Sequence, residues 1–206
     1  MLKEKYRSIL VKYLPPNTVD YSIDLIFQHN ISLTITKGRS TKFGDYRPPQ
    51  NSKGHRITLN YNLNQYAFFI TLIHEIAHLV NWNKHRSKVK PHGEEWKYEF
   101  GILMSPFINE STFPPDILKY LKVYFQNPKA SSSSDVLLMK SLIQHNNEPA
   151  GTFIEEIPEN SLFTFRGNRI FRKGEQIRKR FRCTEIKTKK IYLFNPLAVV
   201  ELVEES

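Results

Sequence analysis

The chain has 206 residues, of which 40% are hydrophobic and 24% are charged, a composition typical of a folded globular protein. Its most apolar stretch, Ala67 to Ile73, is far shorter than the roughly 20 residues of a membrane-spanning helix. The first ten residues lack the apolar core of a secretory signal. Cys183 is the only cysteine, so an intramolecular disulfide is excluded. We therefore expect an intracellular, cytoplasmic protein.

The net charge of +10 is concentrated in one segment. Residues 161–193 contain eleven basic and two acidic residues, which predicts a surface that contacts a phosphate backbone. A solvated charged face without a partner fits the same pattern. The candidate nucleic-acid-binding residues are Arg166, Arg169, Arg172, Lys173, Arg178, Lys179, Arg180 and Arg182.

The first part of the chain combines helical and strand patterns. Helical spacing predicts helices at 4–14 and 18–28. Alternation of apolar and polar residues predicts strands at 31–36 and 55–60, with a third at 42–47 between them. We expect these strands to form a small antiparallel sheet. The remaining predicted helices span 64 to about 81, about 91 to 105, and 116–125.

A change of composition divides the chain. Residues 127–134, Asn-Pro-Lys-Ala-Ser-Ser-Ser-Ser, have almost nothing apolar to bury and predict a flexible linker. The expected domains are therefore 1–126 and a basic module at 135–206. That module has one helical segment at 135–144, followed by short β-type runs separated by turns. The fold class is α+β, with helices and a small sheet followed by a small, mostly β module.

The long predicted helix contains the pattern HExxH, as His74-Glu75-Ile76-Ala77-His78. Histidines four residues apart project from the same face of a helix, as two ligands of one metal require. Glu75 projects about 100° around the axis, where it can reach a metal-bound water. Because the flanking residues are apolar, three ionisable side chains here are costly unless they are paired or bound to a metal. The motif therefore predicts a metal site.

A catalytic zinc takes three protein ligands and leaves one position for water. His92 is the favoured third ligand, because it lies at the predicted start of the next helix, where the chain can return over the first. His85 is one residue away from the spacing of the HExxHxxGxxH pattern, and Asn81 stands where the turn glycine would be. Glu99, on the following helix, is a further alternative, as in sites of the His, His, Glu type.

Two motifs together, His-Glu-Ile-Ala-His at 74–78 and Pro-His-Gly-Glu-Glu-Trp at 91–96, resemble the SprT-like zinc metalloproteases, which include the Spartan proteases. The run at 39–47 is also similar to that family, and the resemblance covers about residues 5–125. It implies a zincin-like fold, a zinc ion held by His74, His78 and His92, and Glu75 as the catalytic glutamate. It also implies a role near DNA, and with it association with the nucleoid, because Spartan-type members degrade proteins crosslinked to DNA.

The C-terminal module departs from the family pattern. SprT-like bacterial proteins often carry a zinc ribbon with paired cysteines, whereas this region has only Cys183. We therefore expect no second zinc, and we expect aromatic packing to hold the module together. The aromatic residues of the module alternate with Arg and Lys, a pattern that also fits stacking of nucleic-acid bases on the aromatic rings. Packing in a core is the favoured interpretation. The aromatic residues are Phe163, Phe165, Phe171, Phe181, Tyr192 and Phe194.

The expected function is zinc-dependent hydrolysis of peptide bonds by a metal-activated water, with Glu75 as the base. The expected substrates are DNA-associated or DNA-crosslinked proteins. Tyr46, Tyr61 and Tyr98 are candidate oxyanion donors that spacing does not separate. The alternatives are a non-proteolytic nucleic-acid or transcription-associated protein that keeps the metal site as scaffold, and a metal-dependent hydrolase of non-protein substrates.

Overall fold

The computed structural model describes residues 2–39, 42–126, 135–146, 151–165 and 167–203. The chain divides into two compact units, Met1–Asn146 and Asn147–Ser206. The first unit combines helices with a small sheet, and the second is a β-sheet, so the fold class is α+β as expected. Within the described ranges, no helix has the length and apolar character needed to cross a membrane.

The first unit packs its helices around a three-stranded sheet. Its described helices are α1 (Leu2–Leu10), α2 (Val19–Gln28), α3 (Gln65–His85), α4 (Glu94–Met104), α5 (Pro115–Gln126) and α6 (Val136–Gln144), and its strands are β1 (Ser32–Thr36), β2 (Gly44–Arg47) and β3 (Arg56–Asn60). The helices and strands lie where the apolar periodicity predicts them, with ends that differ by a few residues. The ends of α1 and α3 differ most: α1 ends at Leu10 instead of residue 14, and α3 continues one turn beyond Asn81, to His85.

The sheet is mixed, so the expected antiparallel sheet is corrected. Its strand order is β1-β3-β2. β2 pairs with β3 in the antiparallel direction, but β1 pairs with β3 in parallel. The reason is that β3 enters between the two earlier strands instead of adding to their outside. This order leaves β2 at one edge of the sheet, and β2 lies against α3.

The helix α3 is buried on nearly all sides. It packs against β2, β3 and α4, and the side chains of Phe68, Phe69, Leu72 and Ile73 are fully buried. Its first turn is capped by Asn64, whose side-chain oxygen accepts hydrogen bonds from the backbone N–H groups of residues 66 and 67 at 3.1 and 3.0 Å. A helix held this firmly presents its few polar side chains in fixed positions.

The helix α6 belongs to the first unit, which corrects the expected domain boundary. Leu138 and Leu142 are buried, α6 packs against α5, and the Ser141 hydroxyl donates to the Asp116 carboxylate at 2.9 Å. The Asn64 side-chain amide also donates to the carbonyl oxygen of Leu142 at 2.6 Å. The apolar face of α6 is therefore covered by the helical unit, which extends to residue 146. The expected linker at 127–134 lies outside the described residues.

The second unit is a single six-stranded sheet. Its strands are β4 (Thr152–Phe153), β5 (Leu162–Thr164), β6 (Ile170–Ile177), β7 (Arg180–Glu185), β8 (Ile191–Phe194) and β9 (Val199–Leu202), in the order β4-β9-β5-β6-β7-β8. All of the strand pairs are antiparallel. The pairing of β6 with β7 shifts register between Lys173 and Gln176.

One face of this sheet carries an aromatic core. Phe163 and Phe171 are stacked with ring centroids 5.6 Å apart, and Phe194 packs edge-on against both. Cys183 is fully buried in the same core, where burial raises the pKa of its thiol. The expected aromatic core is therefore present, and Phe165 and Tyr192 pack at its margin.

Candidate metal centre and its cleft

The helix α3 places His74 and His78 side by side on one face. Their Nε2 atoms are 3.2 Å apart, as expected for imidazoles separated by one helical turn. His74 lies deep in the helix packing, and His78 is partly exposed. The HExxH motif therefore forms the paired arrangement that its spacing predicts.

His92 completes a group of three imidazoles. It lies immediately before α4, whose N-cap is Gly93, and its Nε2 is 3.3 Å from that of His74. One nitrogen of each of the three histidines falls within 4.8 Å of the others. Ligands about 2.1 Å from a tetrahedral metal are separated by about 3.4 Å, close to the distances observed here. The three side chains therefore fit a single metal ion.

The electrostatics keep these imidazoles neutral. Burial lowers the pKa of His74 well below its usual value, with the neighbouring His78 and His92 adding to the effect. Burial also lowers the pKa of His78 to about 4, again with a contribution from His92, and lowers that of His92. Neutral imidazole is the form that binds metal ions.

The indole of Trp96 supports all three histidines. Its ring centroid is 4.6 Å from that of His74, 5.3 Å from that of His78 and 4.8 Å from that of His92. Trp96 is fully buried and stacks on Phe100 at 4.9 Å. Its role was not predicted from the sequence, although its position one turn after His92 was a usable signal. It orients the imidazoles by contact from one side.

Glu75 lies beside the histidines and is almost fully buried. Burial raises the pKa of its carboxyl to about 8, and the Asp45 carboxylate adds to this rise, while a backbone hydrogen bond from Tyr46 opposes it. The close approach of β2 depends on Gly44, since a Cβ there would lie 2.6 Å from Glu75 Oε1 and 2.7 Å from a methyl carbon of Thr71. This contact joins residues far apart in the chain, so no local sequence pattern predicts it.

Asn60 holds the chain that leads into β2. Its side-chain amide donates to the carbonyl oxygens of Arg39 and Lys42 at 3.0 and 2.9 Å, and its side-chain oxygen accepts from Arg39 Nε at 3.0 Å. Its backbone N–H donates to the carbonyl of Phe43 at 2.9 Å. Because Asn60 is buried and fully hydrogen-bonded, it positions β2 over the metal centre.

The histidines and Glu75 open onto a cleft of about 680 Å³. One wall is β2 and the residues before it, another is a stripe along α3, and the third is the segment from Arg86 to His92. Of the three tyrosines considered as oxyanion donors, Tyr46 lines the cleft. Tyr61 and Tyr98 are exposed and do not line it. The Tyr46 hydroxyl is 2.9 Å from His55 Nδ1.

The two alternative third ligands lie outside the group of three histidines. Glu99 is buried, and its carboxylate forms an ion pair with Lys84 Nζ at 2.6 Å. His85 lies in the last turn of α3. In the part of the chain that the structure describes, neither offers a ligand atom to the group formed by His74, His78 and His92.

Among the described residues, four of the predicted nucleic-acid-binding side chains contact other groups of the second unit: Lys173, Arg169, Arg172, whose guanidinium donates to the carbonyl oxygen of Asn160 at 3.1 Å, and Arg182. Lys173 is only 5% exposed, and its ammonium donates to the carbonyl oxygen of Ile157 at 2.5 Å. It therefore offers no exposed charge to a phosphate, contrary to expectation, because strand alternation turns it toward the core. Arg169 pairs with Glu185 at 2.8 Å, a bond that lowers the pKa of that carboxyl to about 2.

The predicted basic residues other than Lys173 and Arg169 are exposed, apart from Arg166, which lies outside the described residues. They occur on the outward positions of β6 and β7 and in the turn that joins these strands. Arg182 is near Glu175, at 3.6 Å. Besides Arg169, whose side chain is also exposed, the exposed set is Arg172, Arg178, Lys179, Arg180 and Arg182.

Three histidines that can hold a metal ion at the wall of a cleft are typical of a metal-dependent enzyme. Here they lie in an α+β domain. Residues 20–107 match the model of the SprT-like family, a family of the metallopeptidase type. The match includes the HExxH helix and His92, and it confirms the resemblance for this part of the chain. No curated protein and no solved structure matches the chain.

Proposed function

We propose that this protein is a zinc-dependent peptidase with a zincin-like metalloprotease domain. The observation that carries the proposal is the convergence of His74, His78 and His92 at the wall of a cleft that also exposes Glu75 to the same space. Three protein ligands beside an open cleft are typical of a catalytic zinc, whereas structural zinc sites are closed by four. The family match at residues 20–107 supports the same class of activity.

Each part of the site has a role in this proposal. A zinc ion held by the three histidines would lower the pKa of its bound water and polarise the peptide carbonyl. In its ionised form, Glu75 would accept the proton from the attacking water and later deliver it to the amine of the departing peptide, and the positive charge of a bound zinc ion would favour that form against the effect of burial. The hydrogen bond from the backbone N–H of Tyr46 fixes the direction of the Glu75 carboxyl. Trp96 and Asn60 keep the histidines and β2 in place.

The proposed substrates are DNA-associated or DNA-crosslinked proteins, in a cytoplasmic, nucleoid-associated setting. A first alternative is a non-proteolytic nucleic-acid-binding or transcription-associated protein that keeps the metal as scaffold. The position of Glu75 argues against it, since a scaffold has no need of a carboxyl group beside an open cleft. A second alternative is a hydrolase of non-protein substrates.

We expect the zinc-loaded protein to cleave an unfolded, DNA-binding protein, and single-stranded DNA is expected to increase the rate by bringing enzyme and substrate together. The measurement is the appearance of new peptide termini by mass spectrometry, with and without DNA and with a chelator as control. DNA binding without any cleavage would favour the scaffold alternative. If the protein neither cleaved the substrate nor bound DNA, a non-protein substrate would be favoured.

We also propose that the exposed basic residues of the second unit bind nucleic acid. The supporting observation is that Arg172 and Arg182 point away from the aromatic core on neighbouring strands, with Arg178, Lys179 and Arg180 beside them. Such a surface can contact several phosphates at once. Lys173, which is buried, and Arg169, whose guanidinium pairs closely with Glu185 at 2.8 Å, are left out of this surface.

Changing Arg172, Arg178, Arg180 and Arg182 together to glutamine is expected to weaken oligonucleotide binding strongly. The slope of log affinity against log salt should fall by about 0.7 to 0.9 for each phosphate that the variant no longer neutralises. The measurement is fluorescence anisotropy across a salt series. A control with equal charge loss changes Lys5, Lys12, Lys119 and Lys122 of the first unit. Equal effects of both variants would point to net charge and contradict a specific surface.

A further inference from the structure

The cleft continues beyond the metal centre toward the C-terminal end of α3. Trp82 and Arg86 line this part, and Arg86 is eight residues after His78. At 1.5 Å per residue along a helix, the two positions are about 12 Å apart. An extended peptide advances about 3.3 Å per residue, so a side chain bound at Arg86 would be three or four residues from a peptide bond at the metal.

Arg86 adopts an unusual backbone conformation, with φ 55° and ψ −135°. Positive φ is uncommon for a bulky residue, and such outliers are found more often at functional sites. The backbone N–H of Arg86 caps α3 by donating to the carbonyl oxygen of Trp82 at 2.7 Å. The guanidinium carbon lies 3.9 Å from the centroid of the Trp82 ring. The side chain is therefore exposed at the cleft wall, with its guanidinium stacked on the indole of Trp82.

The charge of Arg86 has no carboxylate partner among the described residues. Lys42, the other lysine or arginine that lines the cleft, pairs with Asp45 at 2.6 Å, and Asp45 also pairs with Arg47 at 2.8 Å. The charge of Arg86 acts on two neighbouring groups, Tyr46 and His55, and tends to lower the pKa of each, although burial has the larger effect on both. Burial raises the pKa of Tyr46 and lowers that of His55, so both stay neutral near pH 7. The cleft wall thus carries an uncompensated positive charge.

We infer that Arg86 and Trp82 form a subsite for an acidic side chain of the substrate, three or four residues from the bond that is cleaved. This inference rests on the proposed peptidase function. Stacking on an indole uses the face of a guanidinium and leaves its N–H donors free, and these match the two oxygens of a carboxylate. The occupant is a peptide segment rather than nucleic acid, because the subsite and the metal centre share one cleft.

The test measures binding without cleavage, using the full chain with Glu75→Gln and zinc. Fluorescent peptides carry Asp or Asn at the third or fourth position on either side of the central bond. We expect Asp to bind about tenfold more tightly than Asn on one side, as for a hydrogen bond between charged groups. Adding Arg86→Gln should remove this preference, and Arg86→Glu should transfer it to peptides with Lys. Arg86→Lys should retain only part of it, because the planar fork is absent from lysine.

Lys88→Gln is the matched control, because Lys88 is exposed, carries the same charge and does not line the cleft. Equal binding of Asp and Asn peptides, or equal effects of Lys88→Gln and Arg86→Gln, would overturn the subsite. It would also be overturned if Arg86→Gln weakened oligonucleotide binding and left the peptide preference intact. If the unsubstituted chain, which keeps Glu75, bound Asp peptides preferentially but cleaved no peptide, the subsite would stand and the peptidase proposal would fail.

Discussion

Glu75→Gln is expected to abolish peptide cleavage while the protein keeps its metal. Glutamine has almost the same shape as glutamate, so it fits beside Gly44 and β2, but it cannot accept a proton from the attacking water. Proton transfer by a positioned side chain contributes about 10²- to 10⁴-fold to the rate, and the loss should fall in this range. The measurements are kcat/KM on an unfolded protein substrate and zinc content by elemental analysis.

The matched control is Glu95→Gln, which removes the same group from an exposed position on α4 and should leave the rate unchanged. The combination of normal metal content and absent activity separates a catalytic role from a structural one. Cleavage by Glu75→Gln at the wild-type rate would reject Glu75 as the proton acceptor. Loss of zinc together with activity would show instead that Glu75 supports the metal site.

His92→Ala is expected to reduce zinc binding and the stabilisation that zinc provides. At zinc concentrations about 1,000 times the dissociation constant, a ligand that binds only the folded state adds about 4 kcal/mol. For a chain of this size, that corresponds to a rise in Tm of about 10 °C. With two imidazoles left, the affinity should fall and most of this rise should disappear. Thermal unfolding with added zinc and with a chelator measures the difference.

His85→Ala and Glu99→Ala serve as controls for the two alternative third ligands. His85→Ala should keep the full zinc-dependent rise in Tm. Glu99→Ala should lower the stability of the metal-free protein, since it leaves Lys84 without its partner, but the rise on adding zinc should persist. If Glu99→Ala or His85→Ala abolished the zinc response and His92→Ala retained it, the third ligand would be reassigned.

Features set by neighbouring residues could be predicted from the sequence. The apolar periodicity located the described helices and strands, since each element needs an apolar face to bury. The i, i+4 spacing put His74 and His78 on one face of α3, because the helix repeat alone determines that relation. The predicted start of α4 brought His92 into consideration, although the structure places this residue just before the helix.

Features that depend on contacts between distant segments were missed or wrong. Alternation identified β1 as a strand but carried no information about its parallel pairing with β3. Low apolar content at 127–134 suggested a domain boundary there. The apolar face of α6 packs against α5 instead, so α6 belongs to the first unit. Lys173 was also predicted wrongly as part of a basic surface. Its position in the sheet directs its side chain toward the aromatic core, where it is buried.

The sequence by itself determined the pair of imidazoles and the glutamate beside them, because one helical turn relates all three through local geometry. Tertiary structure decided that His92 joins them, that Gly44 lets β2 approach Glu75, and that Arg86 lies in the cleft without a carboxylate partner among the described residues. These outcomes depend on how separate elements pack, and packing is a property of the whole domain. The local pattern therefore specifies two of the candidate metal ligands, and the fold builds the cleft around them.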